Sequence, residues 1–198
     1  MKNKKGLIII GVIALLLFIG YSSIKGTYNN MVNLNENVKE SWSQVENVYQ
    51  RRADLIPNLV NTVKGYAAHE QETFTAVIEA RSKATSTTID ANNMDAASIQ
   101  KFQQAQQGLS SALSKLMVVV ERYPDLKANE NFLQLQAQLE GTENRIAVER
   151  KRFNETTGVY NKTIKNFPTN IYAGFFNFEE RPYFEAEEGS NQVPEVQF

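Results

Sequence analysis

The chain has 198 residues, no cysteine, a single histidine and a net charge of −1. The missing cysteines exclude disulfide frameworks, thiolate zinc sites and thiol nucleophiles, and one histidine excludes any centre that needs two. A nearly neutral chain of this length fits one domain and lacks the basic field that recruits nucleic acid.

The first element is apolar. Leu7 to Ile24 reads LIIIGVIALLLFIGYSSI, 18 residues without a charge. At about 1.5 Å of rise per residue such a helix just crosses a hydrocarbon core about 30 Å thick. No A-x-A cleavage site follows, so residues 1–25 are predicted to be an uncleaved anchor whose partner is the lipid bilayer. Lys2, Lys4 and Lys5 precede the span and Lys25 alone follows it closely. The positive-inside rule then keeps the N-terminus in the cytoplasm and places the remainder outside a bacterial cytoplasmic membrane.

Residues 26–168 carry three apolar seams at helical spacing. The first joins Val38, Trp42, Val45, Tyr49, Ile56, Leu59, Val63, Tyr66, Phe74, Val77 and Ala84, with Arg52, Glu70 and Arg81 in its gaps. The second joins Ile99, Phe102, Gln106, Leu109, Leu113, Leu116, Val120 and Tyr123; the third runs from Phe132 through Leu135, Leu139, Thr142, Ile146, Phe153, Tyr160 and Ile164 to Phe167. No stretch alternates with period two, so the predicted fold class is all-α: a transmembrane helix, then an antiparallel up-and-down bundle. The Ser/Thr/Asn/Asp-rich stretch 85–95 reads as a loop, with Asp95 and Asn129 as N-caps and Pro124 and Pro168 as stops. Pro57 sits in the middle of the first seam. The bundle has three long helices if the first continues through it, and four if the chain folds back near Arg52 to Pro57. Gly65, Gly141 and Gly158 lie inside the periodic stretches, where close helix approach is the ordinary reason for glycine.

Residues 169–198 change character. Seven aromatics fall between Phe167 and Phe184 in a stretch of poor periodicity, which predicts an irregular strap followed by an acidic, flexible tail. Tyr172, Phe175, Phe176, Phe178, Tyr183 and Phe184 either pack on the bundle or form a surface for a partner or the membrane interface.

Several phrases are more specific than periodicity requires: YQRRADLIPNLVNTVKGYAAHE (Tyr49 to Glu70), ERYPDLKANENFLQLQAQLEGTENRIAVERKRFN (Glu121 to Asn154) and VYNKTIKNFP (Val159 to Pro168). Together with the anchor they resemble the LemA family of bacterial membrane proteins over roughly Leu7 to Phe184. The resemblance implies a single-pass membrane protein with a helical up-and-down bundle, and it supplies no reaction.

The chemical signals are incomplete. His69-Glu70-Gln71-Glu72-Thr73 lacks the second histidine of H-E-x-x-H, and reads as solvated helix surface rather than a zinc site. Glu140 and Glu143 share a helix face, yet a di-metal bundle needs two Glu-x-x-His repeats. No metal or cofactor is therefore expected, and no catalysis. A polar cluster stands out at or beside the seams: Arg51, Arg52, Asp54, Arg122, Asp125, Glu140, Glu143, Asn144 and Arg150. Charges there must be paired, either to set helix register or to line a polar groove. The expected function is a non-enzymatic scaffold or adaptor of the cell envelope with protein partners; the alternative is a module binding a small ligand, lipid or peptide in that groove. Homo-oligomerisation stays open.

Overall fold

The computed structural model describes residues 2–185; the end of the acidic tail, from residue 186, lies outside the described residues. Among the described residues there are six helices: α1 (Lys2–Lys64), α2 (Gln71–Ser86), α3 (Ala96–Val120), α4 (Pro124–Lys127), α5 (Glu130–Lys165) and α6 (Thr169–Phe175). There is no strand among the described residues. The described residues form two compact units. One comprises those up to Glu40 together with Glu155–Arg181, and the other Ser41–Asn154 with residues 182–185.

The first unit contains the anchor. Residues 7–24 of α1 expose their side chains all round, and an 18-residue window there reaches a mean hydropathy of 2.6. A helix that is apolar on every face and covered by nothing is built for lipid. Beyond the span, Met31 and Val38 are buried, as are Tyr160 and Ile164 of α5 and Ala173 of α6. The segment after α6 is held by side chains recognising main chain. Asn161 donates to the Arg181 carbonyl (2.8 Å) and accepts from the Arg181 N–H (2.9 Å), while the Tyr160 hydroxyl donates to the Glu179 carbonyl (2.8 Å). Burial pushes the Tyr160 phenol above the usual tyrosine value.

In the second unit the seams meet. Ile56, Leu59 and Val63 of α1 pack with Phe74 and Val77 of α2, Leu109 and Leu116 of α3, Leu126 of α4 and Phe132 of α5. Directions follow from the pairings. Residues 42, 52 and 66 of the first seam meet 153, 143 and 129 respectively, so α1 and α5 run antiparallel. Ala84 and Glu70 meet Gln106 and Arg122, so α2 and α3 are antiparallel too. Both predicted caps are present. Asp95 accepts the Ser98 N–H at 2.6 Å and completes a capping box, and Asn129 accepts the Phe132 N–H at 3.0 Å. The Ser98 hydrogen bonds stabilise the ionised carboxyl and hold Asp95 below the usual aspartate value.

The first seam breaks elsewhere than at Pro57. Helix α1 passes through the proline and stops at Lys64, and the chain reverses over residues 65–70. A proline in a helix interior leaves the carbonyl four residues earlier without its N–H donor, at a cost of about 3 kcal/mol. Here that carbonyl belongs to Ala53, a buried residue, and the Arg81 Nε of α2 donates to it at 2.7 Å. A donor from the next helix thus replaces the one that Pro57 lacks, while the ring itself faces solvent. The reversal begins at Gly65, where the Tyr66 and Ala67 N–H groups both return to the Val63 carbonyl. Gly65 is therefore a terminus rather than a helix-interior contact, and Gly141 has no neighbour within 4 Å of where a Cβ would stand, so close approach explains neither. Tyr66 leaves the seam with the reversal and is exposed, as is Phe167 beyond the end of α5.

Candidate functional site

The centre of the second unit is Arg52, at the position where the first seam would otherwise carry an apolar residue. Its side chain is only 2% exposed, and its neighbours come from two other helices. Nη1 donates to both oxygens of Glu143 on α5 (3.0 and 3.3 Å) and to the Ser110 hydroxyl on α3 (3.0 Å). Nη2 donates to the Gln106 side-chain oxygen at 2.7 Å and to its carbonyl at 3.3 Å. The guanidinium carbon lies 5.1 Å from the centre of the Tyr49 ring, within cation–π range. Gln106 in turn donates from Nε2 to the Ala84 carbonyl near the end of α2 (3.3 Å), so one buried amide joins three helices. A charge taken this far from water persists only when its donors are used, and the planar fork of arginine suits this geometry. Nε alone is buried without a partner.

Beside this knot lies a groove with a cavity of about 350 Å³, lined by Arg52, Glu143, Arg150, Gln103, Gln107 and Glu185 among others. Extended main chain already occupies one part of its wall. Asn154 accepts the Phe184 N–H (2.9 Å) and donates to its carbonyl (3.0 Å). Gln103 and Arg150 both donate to the Glu185 carbonyl at 3.1 Å. The Phe184 ring stacks on Trp42 (5.7 Å between centroids, 23° between planes), meets Phe153 edge-on and lies under the Arg150 guanidinium. Nearby, burial pushes the Glu46 carboxyl above the usual glutamate value, and the Trp42 indole partly opposes the shift.

The predicted polar cluster separates into parts. Arg52 and Glu143 pair directly, Arg150 shares their groove, and Glu140 borders an adjoining pocket with both. Arg51 and Asp54 do not join them: successive helix residues turn by about 100°, so both point to solvent, and Asp54 accepts from Gln50. Arg122 pairs with Glu70, which also accepts from the Tyr123 hydroxyl, at the opposite end of α3. Asp125 and Asn144 are exposed. His69 lies in the reversal between α1 and α2, so no helix of the zinc-protease kind begins there. No cage of three or more acidic or histidine side chains occurs among the described residues. Sequence reasoning missed Ser110, Gln103 and Asn154, and took Gln106 for a seam position without weighing its amide.

The aromatic stretch also divides. Phe184 is a core residue rather than interface, and Tyr183 beside it is half-exposed. Phe176 and Phe178 meet Tyr28 edge-on, at 4.8 and 5.8 Å. Tyr172 and Phe175 belong to α6, a short helix where an irregular strap was expected; Tyr172 is half-buried and Phe175 exposed.

A lipid-facing helix continuous with a bundle whose buried charge is spent on its own helices defines a membrane-anchored helical-bundle protein. The chain belongs to the LemA family, whose model matches residues 41–198. Among characterised relatives it is similar to Magnetosome protein MamQ 2 of Paramagnetospirillum magneticum, 27% identical over 200 residues that cover 90% of this chain and 71% of the relative. Magnetosome protein MamQ of Magnetospirillum gryphiswaldense is 27% identical over 88% of this chain and 70% of its own. Protein LemA of Metamycoplasma hominis is 24% identical, covering 82% and 71%.

Proposed function

We propose that this protein is a non-enzymatic adaptor of the bacterial envelope that holds an extended segment of a partner protein in the groove beside Arg52. The observation that carries this reading is the clasp on residues 184–185, where Asn154, Gln103 and Arg150 bind main-chain groups. Main-chain recognition of an extended peptide is a recurrent way to bind a segment while leaving specificity to side-chain pockets. Gln100, Gln104 and Gln107 continue the row of amides along the same groove, and each offers both donors and an acceptor. The Arg52 knot supports a structural rather than a catalytic role, since its donors already serve α3 and α5. The lysine asymmetry around the span supports an N-terminus inside the cytoplasmic membrane and a bundle outside it. The names of the magnetosome relatives favour work within an assembled structure over a metabolic step.

A photo-crosslinking side chain at Gln104 or Gln107, activated in intact cells, tests the adaptor reading. The expected result is one reproducible protein adduct; crosslinks to lipid alone, or none from protein correctly placed in the membrane, would overturn it. The second reading is a small polar ligand in the same groove. Its support is a cavity of small-molecule size lined by polar side chains, Arg52, Glu143 and Arg150 among them. Native mass spectrometry of protein extracted in mild detergent separates the two: a bound small mass without a protein adduct favours the ligand.

A further inference from the structure

Within the first unit, large apolar side chains on and just before α6 stay exposed among the described residues. Phe167 is 81% exposed, Phe175 79% and Ile171 60%. Ile171 and Phe175 stand four apart on α6 and therefore share a face, with Phe167 just ahead of the helix. The buried Ala173 marks a different side of the same helix. Monomeric soluble proteins rarely display large contiguous apolar patches, which mark interaction surfaces when they occur.

The position of the patch identifies what covers it. Phe176, the residue after α6, meets the Tyr28 ring at 4.8 Å, and Phe178 meets the same ring at 5.8 Å. Tyr28 lies four residues beyond Ile24, the last residue of the apolar span, which is about 6 Å along the helix axis. That height is the headgroup zone, where aromatic rings concentrate because one side is apolar and the other wet. A seven-residue helix is about 10 Å long, so α6 begins within about that distance of the Tyr28 ring and stays in this layer when it lies along the membrane plane.

We infer that Phe167, Ile171 and Phe175 form a second membrane contact, a short interfacial foot that lies in the headgroup layer beside the transmembrane helix. The occupant of the exposed face is the bilayer that α1 already crosses. The foot fixes how the first unit rests on the membrane, and it is independent of what the groove beside Arg52 holds.

The absence of native cysteine makes the test clean, because a single introduced thiol is the sole labelling site. The full chain bearing Ile171→Cys or Phe175→Cys is labelled with a nitroxide and reconstituted in vesicles of phosphatidylethanolamine with a minority of phosphatidylglycerol. Collision rates with oxygen, which partitions into lipid, and with a water-soluble nickel chelate are compared with two controls: Ser111→Cys on the exposed side of α3, and Leu16→Cys within the span. The expected oxygen-to-nickel ratio at both foot positions is several-fold above the Ser111→Cys control and below the Leu16→Cys control. A ratio equal to the Ser111→Cys control would overturn the inference by placing α6 in open water. Suppression of both collision rates would overturn it equally, by showing that protein covers the face, a second copy included.

Discussion

Glu143→Ala removes one half of an ion pair whose two members differ sharply in burial. The Arg52 side chain is 2% exposed and that of Glu143 57%. Losing the carboxylate leaves a guanidinium charge inside the bundle, and stranding a buried charge costs about 3–5 kcal/mol when no other acceptor remains. Ser110 and Gln106 stay in place, and water reaches Nη1 from the vacated side, so the expected loss is about 2–3 kcal/mol. The converse substitution, Arg52→Met, keeps the aliphatic volume and leaves no buried charge. Glu143 returns to solvent, and the stranded group is the Gln106 side-chain oxygen, for about 1–2 kcal/mol. The double variant should then match Arg52→Met to within about 0.5 kcal/mol, because the carboxylate has no other buried partner to fail. Urea unfolding of the full chain in detergent, followed by far-ultraviolet circular dichroism, measures all three. In thermal melts Glu143→Ala should lower Tm by about 4–12 °C. A Glu143→Ala variant more stable than Arg52→Met would refute the reasoning, since it would mean that the carboxylate does not hold the guanidinium.

Other expectations follow from single contacts. Arg81→Ala leaves the Ala53 carbonyl buried without a donor and should cost about 1–3 kcal/mol in the same unfolding assay, whereas in a Pro57→Ala background, which restores the N–H, most of that loss should vanish. Asp95 ionises below the usual aspartate value in the folded state, so its cap adds stability above about pH 4 and loses it as pH falls through the lowered value. The stability gap between wild type and Asp95→Ala should accordingly be flat near neutrality and close in acid; a gap that persists in acid would contradict the cap. Glu46 has the opposite sign. Its raised value means that ionisation opposes folding, so Glu46→Gln should raise Tm at neutral pH and leave it unchanged below about pH 4. The single tryptophan, Trp42, should report the same titration by fluorescence, and the Glu46→Gln variant should lack it.

What could be read from the amino-acid order was what depends on neighbours along the chain. The apolar span, the Asp95 and Asn129 caps and most of the seam positions depend on spacings of a few residues and are where they were expected; Tyr66 and Phe167 are the exceptions. Arg52 and Glu143 could be picked out because charges in an apolar stripe need partners. The end of α1 could not, because Tyr66 and Phe74 kept the seam's spacing across a reversal that periodicity alone does not see. Nor could the rescue of Pro57, since the donor to the Ala53 carbonyl sits 28 positions from it on another helix. The aromatic stretch gave composition without period, which left open that Phe184 joins the core while Phe175 faces outward. Gln103, Gln106 and Ser110 carry no charge to flag them, yet they complete the Arg52 site.

The proline in α1 has a consequence for how the first hairpin of helices is aligned. Apolar side chains tolerate sliding, because one greasy contact substitutes for another at small cost. A lone carbonyl that needs a donor does not. Moving α2 by a single residue would swing Arg81 about 100° around its helix and shift it about 1.5 Å, and Ala53 would be left bare. Pro57 thus acts as an indexing notch cut into one helix, and Arg81 as the pin that drops into it. A residue that usually spoils a helix here tells its neighbour where to stop.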